Sequence, residues 1–280
     1  MPLVTSKEML LDAQKNGYAV GAFNVDNMEM VRAVVSAAEE MHSPVIIQTT
    51  PSTLRYETPK MFAGMVKAAA SDSKADIALH LDHGSSYDLA SSALDAGYTS
   101  IMIDGSKLPL SENIEISKQV VDLCHAKGIP VEAELGKVGG KEDDVVVEGV
   151  PPFTDPDEAV EFVSKTGVDY LAVGIGTSHG VYKGEPNVNL DVLKSIRDVV
   201  DVPLVMHGTS GVPDETVRKA IKLGICKVNY ATELRIAYSD AIKKYLKENP
   251  DVFDPKKYSE AGRIAVKELV KVRIGNLTSQ

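Results

Sequence analysis

Tryptophan is absent from the sequence, aromatic residues make up only 5% of it, and two of its 280 residues are cysteine. Cys124 and Cys226 form no C-x-x-C pair of the kind that holds a metal, and so sparse a cysteine content fits a reduced, cytoplasmic setting. Positive charge is also in deficit. Thirty Lys and Arg against 40 Asp and Glu leave a formal charge of −10. That excludes the broad basic face that nucleic acid requires. A phosphorylated small molecule would have to be held locally, by backbone N–H groups and a few cations. No apolar run approaches the ~20 residues of a membrane span. The opening "MPLVTSKEML" has no signal-length apolar core, so neither membrane nor export is expected. Linkers and low-complexity segments are missing as well, so residues 1–280 read as a single domain. A dinucleotide fold is disfavoured, because no G-x-G-x-x-G follows the first strand.

What is present is an alternation. Short apolar runs occur at "YAVGAF" (18–23), "PVIIQT" (44–49), "IALHL" (77–81), "TSIMID" (99–104), "IPVEAEL" (129–135), "DYLAVGI" (169–175), "VPLVMHG" (202–208) and "CKVNY" (226–230). Between them lie stretches with helical spacing, such as 28–41, 88–97 and 110–128, and Gly128, Gly167 and Gly224 stand where helices should stop. Strands alternating with helices imply a parallel sheet, and eight of them point to an α/β fold, a (β/α)8 TIM barrel, with an open doubly wound sheet as runner-up. Two more helices follow the eighth strand, separated by a turn at Pro250 and Pro255.

In such barrels chemistry sits at the C-terminal ends of the strands. The third run ends in Asp82-His83-Gly84, the fifth carries Glu132 and Glu134, the sixth is followed by His179-Gly180, the seventh ends in His207-Gly208, and the eighth runs into Asn229 and Thr232. Three histidines brought to one rim suggest a zinc site with an open position, since neutral imidazole suits that ion. A lone histidine is more often a hydrogen-bonded core residue, and His42 and His125, at helix C-termini, read as structural. His80 fills the barrel or leans toward the site. The Gly-rich turns "GTSHG" (176–180) and "HGTSG" (207–211) offer backbone N–H groups and hydroxyls to a phosphate. "GKVGGKEDD" (136–144) reads as a solvated loop or as a mobile lid carrying an acid or base, Glu142.

Taken together, "HLDHGSS", "MIDGSKLPLSENI", "VEAELGKVGGKEDD", "GTSHGVYKGEP", "LVMHGTSG" and "KVNYATELRIAY" resemble the class II, zinc-dependent ketose-bisphosphate aldolases. The resemblance runs from "GAFNVDN" to the tail "DPKKY" and implies the same barrel. It implies that His83, His179 and His207 bind one catalytic Zn²⁺, that Glu134 contacts the metal when the ion shifts, and that a Na⁺ or K⁺ ion lies near the glycine turns. Asp82 would be the acid/base at the cleaved bond and Glu142 the acid that exchanges a proton on the dihydroxyacetone-phosphate carbon. Gly180, Gly208, Thr209, Ser210, Asn229, Tyr230, Ala231 and Thr232 would form the substrate-binding set, with Lys256 at the distal phosphate. Lys107 and Lys183 read as electrostatic helpers or surface charges.

Fructose-bisphosphate members carry an acid where this sequence has Ala231. "NYATE" and "IIQTTPSTLRY" instead resemble the tagatose-bisphosphate aldolases. The expectation is therefore cleavage of tagatose 1,6-bisphosphate, then fructose 1,6-bisphosphate, by a homodimer or homotetramer. The alternatives are a 6-phospho-5-dehydro-2-deoxygluconate aldolase of inositol breakdown, an accessory phosphosugar-binding subunit, or another metal-dependent phosphosugar enzyme.

Overall fold

The eight apolar runs form eight parallel strands that hydrogen-bond side by side and close on themselves. The computed structural model describes residues 3–142, 145–147, 153–182 and 184–278, without the side chains of 141, 142 and 145–147. The barrel strands are β1 (Val20–Asn24), β2 (Val45–Thr49), β3 (Ile77–Gly84), β4 (Ser100–Ile103) and β5 (Val131–Leu135), then, past a hairpin, β8 (Tyr170–Val173), β10 (Leu204–Met206) and β11 (Ile225–Tyr230). Sequential strands are neighbours all the way round, and β11 closes on β1 with Ala22 opposite Asn229.

The hairpin is β6 (Gly139–Glu142) and β7 (Val145–Val147), and β6 also pairs with the two-residue β9 (Ser178–His179). The glycine-broken segment expected as a loop or lid is thus stitched, through Gly140 opposite His179, to one of the histidine strands.

The helices are α1 (Ser6–Asn16), α2 (Met28–Met41), α3 (Pro51–Tyr56), α4 (Pro59–Ala70), α5 (Tyr87–Ala96), α6 (Leu110–His125), α7 (Pro156–Thr166), α8 (Leu190–Arg197), α9 (Asp214–Lys222), α10 (Thr232–Glu248) and α11 (Pro255–Thr278). Their ends follow local chemistry. Asn27 caps α2 by accepting from the Met30 N–H, and Asp155 caps α7 with Pro156 at its first position. Gly167 ends α7 in the left-handed conformation. Among the described residues no helix is long and apolar enough to cross a membrane.

Two apolar layers hold the barrel. Inside, Val20, Ala22, Ile46, Ala78 and Val205 pack on Met9, Leu10 and Ala13 of α1, which plugs the N-terminal end. Outside, Phe23, Ile47, Leu79, Ile101 and Leu171 meet the helical ring. Burying each such Leu or Ile stabilises the fold by roughly 1.5–3 kcal/mol. Above α1 the inward residues turn polar, from the buried His80, Glu132 and Lys227 up to Asp82 and the histidines at the C-terminal rim.

Candidate active site

Period two along a strand sends alternate side chains inward. On β3, Ala78 and Asp82 face in while Leu79 and Leu81 face the helices. Asp82 is fully buried, and three amides grip it. Its Oδ2 accepts from Asn24 Nδ2 at 2.8 Å and Gln48 Nε2 at 3.1 Å, and its Oδ1 from Asn229 Nδ2 at 3.1 Å. Four strands therefore fix one carboxylate.

Strict alternation would turn His83 outward. Instead its φ is 48°, a left-handed value unusual for a non-glycine residue, and the register with β4 slips between Leu81 and Gly84. That conformation costs of order 1–3 kcal/mol and brings two adjacent residues to one site. A bulge, rather than the alternation of an extended chain, brings Asp82 and His83 together. Gly84 is required beside it, because a Cβ there would lie 2.2 Å from the Met102 carbonyl oxygen.

His83, His179 and His207 converge. His83 faces the other two rings edge-on, at centroid separations of 5.2 Å from His179 and 4.7 Å from His207. Each offers a ring nitrogen within 4.8 Å of the others. Outer partners decide which nitrogen is offered. His83 Nδ1 bonds Asp104 Oδ2 at 2.8 Å, and His207 Nε2 bonds Glu132 Oε1 at 2.8 Å, leaving His83 Nε2 and His207 Nδ1 facing each other at 2.9 Å. Two nitrogens on a tetrahedral zinc would stand about 3.3 Å apart. The donor set therefore fits a metal with little movement. Glu134 Oε2 lies 3.8 Å from both His83 Nδ1 and His207 Nδ1, and His83, Asp104 and Glu134 form a second group able to hold an ion.

The electrostatics favour ligation. Burial pushes the His207 imidazole below its ordinary 6.5, so it is neutral at pH 7. Burial alone would raise Glu132, but the Lys227 ammonium at 2.8 Å and the His207 hydrogen bond hold it far below the usual carboxylate range. The His83 contact does the same for Asp104 against its burial. Such carboxylate–histidine pairs set the tautomer and raise ligand basicity. His80 fills the barrel beneath, bonded to Ser100, with its pKa driven down by burial and by Lys227.

Tyr182 ties the two glycine turns together. Its Oη accepts from the Ser178 N–H at 2.7 Å and donates to the Gly208 carbonyl at 2.8 Å. Gly208 has φ 64°, and a Cβ there would lie 2.7 Å from the Ser178 backbone. Gly180, Gly208, Thr209, Ser210, Asn229, Ala231 and Thr232 all line one cavity with Asn24, His179 and Arg235.

Two expected substrate residues are not brought there. Tyr230 is 1% exposed, stacked on Phe23 at 5.8 Å and beneath Arg273, because alternation on β11 aims Asn229 inward and Tyr230 at the helices. Lys256 sits on the first turn of α11, 85% exposed and paired with Asp254, and does not line the cavity. The Glu142 side chain and Lys183 lie outside the described residues. Asn24, Gln48, Asp104, Tyr182, Lys227 and Arg235 were not singled out from sequence. Asn24 and Gln48 carried a usable signal: both are polar residues ending apolar runs at the same rim.

Comparison with known proteins shows the family and the fold. The family model for fructose-bisphosphate aldolase class-II matches residues 4–280. The YdjI aldolase from Escherichia coli K12 is 40% identical, with a TM-score of 0.88, over 99% of this chain and 98% of that one. Fructose-bisphosphate aldolase from Campylobacter jejuni, at 22% identity, shares the fold with a TM-score of 0.83 over 99% of this chain and 95% of that one. The match covers the strands that build the rim and the turns that shape its cavity, and on that ground the chain belongs to the class II fructose-bisphosphate aldolase family and is an aldolase, a carbon–carbon lyase.

Proposed function

We propose that the protein catalyses reversible aldol cleavage of a ketose 1,6-bisphosphate to dihydroxyacetone phosphate and glyceraldehyde 3-phosphate, with tagatose 1,6-bisphosphate preferred over fructose 1,6-bisphosphate. The observation that carries this reading is the carboxylate of Asp82, held by three amides next to a cluster of three imidazoles.

In this reading His83, His179 and His207 would hold zinc, with the Glu134 carboxylate beside them as a further ligand. Zinc bound there supplies Lewis-acid polarisation of the substrate's carbonyl oxygen. The remaining work falls to the chain. Asp82 takes the proton of the C4 hydroxyl as the C3–C4 bond breaks and returns it in the reverse direction. The electron pair of that bond passes to the ketone half, and Glu142 delivers a proton to C3. The buried Asn229 Oδ1 has no hydrogen bond among the described residues and accepts one from a substrate hydroxyl.

Gly180, Gly208, Thr209, Ser210 and Thr232 cradle the ketone-side phosphate, with a Na⁺ or K⁺ ion against the backbone of the same turns. The exposed Lys256 reaches the distal phosphate of a neighbouring subunit in a homodimer or homotetramer. The protein works in the cytoplasm.

The sugar preference rests on Ala231, which lines the cavity beside Asn229 without a carboxylate to contact the C4 hydroxyl. The test is the ratio of kcat/KM for the two sugars in wild type and Ala231→Asp. The substitution should shift the ratio toward fructose 1,6-bisphosphate; an unchanged ratio removes residue 231 from sugar selection. Failure of the zinc-loaded protein to cleave either would reject the bisphosphate reading in favour of the deoxy-ketogluconate phosphate.

A further inference from the structure

Two chain segments meet at the phosphate end of the cavity. Gly208, Thr209 and Ser210 follow β10, Ala231 and Thr232 follow β11, and all five line the cavity. Each segment runs directly into a helix. Residues 211–213 separate Ser210 from the start of α9 at Asp214, and α10 starts at Thr232 itself. Neither helix start is fixed by its own cap, because Pro213 and Ala231 make no side-chain capping bond. On the cavity side the Ser210 hydroxyl accepts from the Glu233 N–H, a long contact at 3.4 Å.

Behind the cavity, α11 reaches both helix starts with one side chain. Arg273 donates from Nε to Glu233 Oε1 at 2.6 Å and from Nη2 to Glu233 Oε2 at 2.7 Å, in the first turn of α10. Its Nη1 donates to Asp214 Oδ1 at 2.7 Å, in the first turn of α9. Asn276 holds the other oxygen of Asp214 at 2.8 Å. The guanidinium rests on the Tyr230 ring, 5.3 Å from its centroid, which gives that buried tyrosine a part as a platform. Arg273 and Glu233 are 17% and 16% exposed, so the network is largely withdrawn from water. A paired fork on one carboxylate and a third N–H on another fix direction as well as distance.

We propose that Arg273 is a positioning residue for the phosphate cradle. By tying the first turns of α9 and α10 to one guanidinium, it sets the spacing at which the 208–210 turn and Thr232 meet phosphate oxygens. It acts through those segments and does not itself line the cavity. The same contacts keep the Glu233 and Asp214 carboxylates paired with a cation rather than with the helix N-termini that an anion seeks. The proposal relies on the aldolase reading for which molecule carries the phosphate.

The test is calorimetric binding of inorganic phosphate and of dihydroxyacetone phosphate to zinc-loaded protein, with zinc content and the urea midpoint measured on each variant. Arg273→Met should weaken both ligands by about 10-fold, the loss of a pre-set geometry, and leave zinc content unchanged. In turnover, KM should rise and kcat change little. Arg273→Met also leaves two carboxylates without their cation, so the triple variant Arg273→Met, Glu233→Gln, Asp214→Asn separates position from stability. It should regain most of the urea midpoint while phosphate binding stays weak, because nothing then ties the two helices together. Wild-type phosphate affinity in Arg273→Met overturns the proposal. So does recovery of phosphate affinity in step with stability in the triple variant, and so does concurrent loss of zinc. Phosphate binding that depends on Arg273 in a wild type that cleaves no ketose bisphosphate would reject the bisphosphate reading and leave this brace standing.

Discussion

Lys227 and Glu132 are both 0% exposed, 2.8 Å apart inside the barrel, and the other oxygen of Glu132 holds His207. Lys227→Met keeps the length of the side chain and removes the charge. Glu132 is then a buried carboxylate without its cation, a defect that costs about 3–5 kcal/mol. The carboxylate escapes by taking a proton, which weakens its hold on the His207 tautomer. Outer partners of this kind are worth roughly 10- to 100-fold in metal affinity. Urea unfolding of the metal-free protein should therefore show that loss of stability, and a chelator competition should show weaker zinc binding. Adding Glu132→Gln to Lys227→Met should recover most of the stability, since no buried charge remains and the amide oxygen still accepts from His207. A loss below about 1 kcal/mol together with wild-type zinc affinity would refute the coupling, because the pair would then be neither buried nor linked to the ligand in solution.

Asp82→Ala should retain zinc and lose turnover by ~10²-fold or more, the general acid–base range; parallel loss of zinc in the metal assay would make Asp82 structural. Gly208→Ala should disturb both glycine turns, since its Cβ would lie 2.7 Å from the Ser178 backbone, and should raise KM for phosphorylated ligands; unchanged kinetics would count against a close packing of the turns. The metal-free protein should lose stability in acid. His80 has its folded pKa depressed by burial below the ordinary 6.5, so the unfolded chain takes the proton first. Its contribution is complete above pH 6.5 and is lost as pH falls toward the folded value. Glu132, also depressed, adds a further loss below its ordinary 4.5. Each proton contributes up to about 1.4 kcal/mol per pH unit. His80→Gln should flatten the upper part of the profile, and an unaltered urea midpoint between pH 7.5 and 5 in both proteins would contradict it.

Much of this architecture was legible in sequence because parallel barrel strands are covered on both faces and read as plain apolar runs. The rim rule then picked out Asp82, His83, His179 and His207 as polar residues at strand ends. What escaped was of two kinds. The left-handed turn at His83 goes with a register slip between β3 and β4, where Gly84 packs against the Met102 carbonyl, a long-range fit that no local pattern announces. Lys227 and Glu132 are 95 residues apart and become partners only when the barrel closes. Tyr230 is different, since period two on β11 already placed it opposite to Asn229, and its assignment to the substrate set ignored that alternation. The hairpin at 139–147 was hidden by its glycines, which read as loop until β9 offers a strand to pair with.

The most direct measurement is triose phosphate release from tagatose 1,6-bisphosphate and fructose 1,6-bisphosphate by protein stripped of metal and then titrated with zinc. Release should be absent without metal, rise to saturation at one zinc per chain, and be abolished in His207→Ala. Equal release by the stripped protein, or none at full zinc occupancy, would contradict a zinc-dependent ketose-bisphosphate aldolase built on these three histidines.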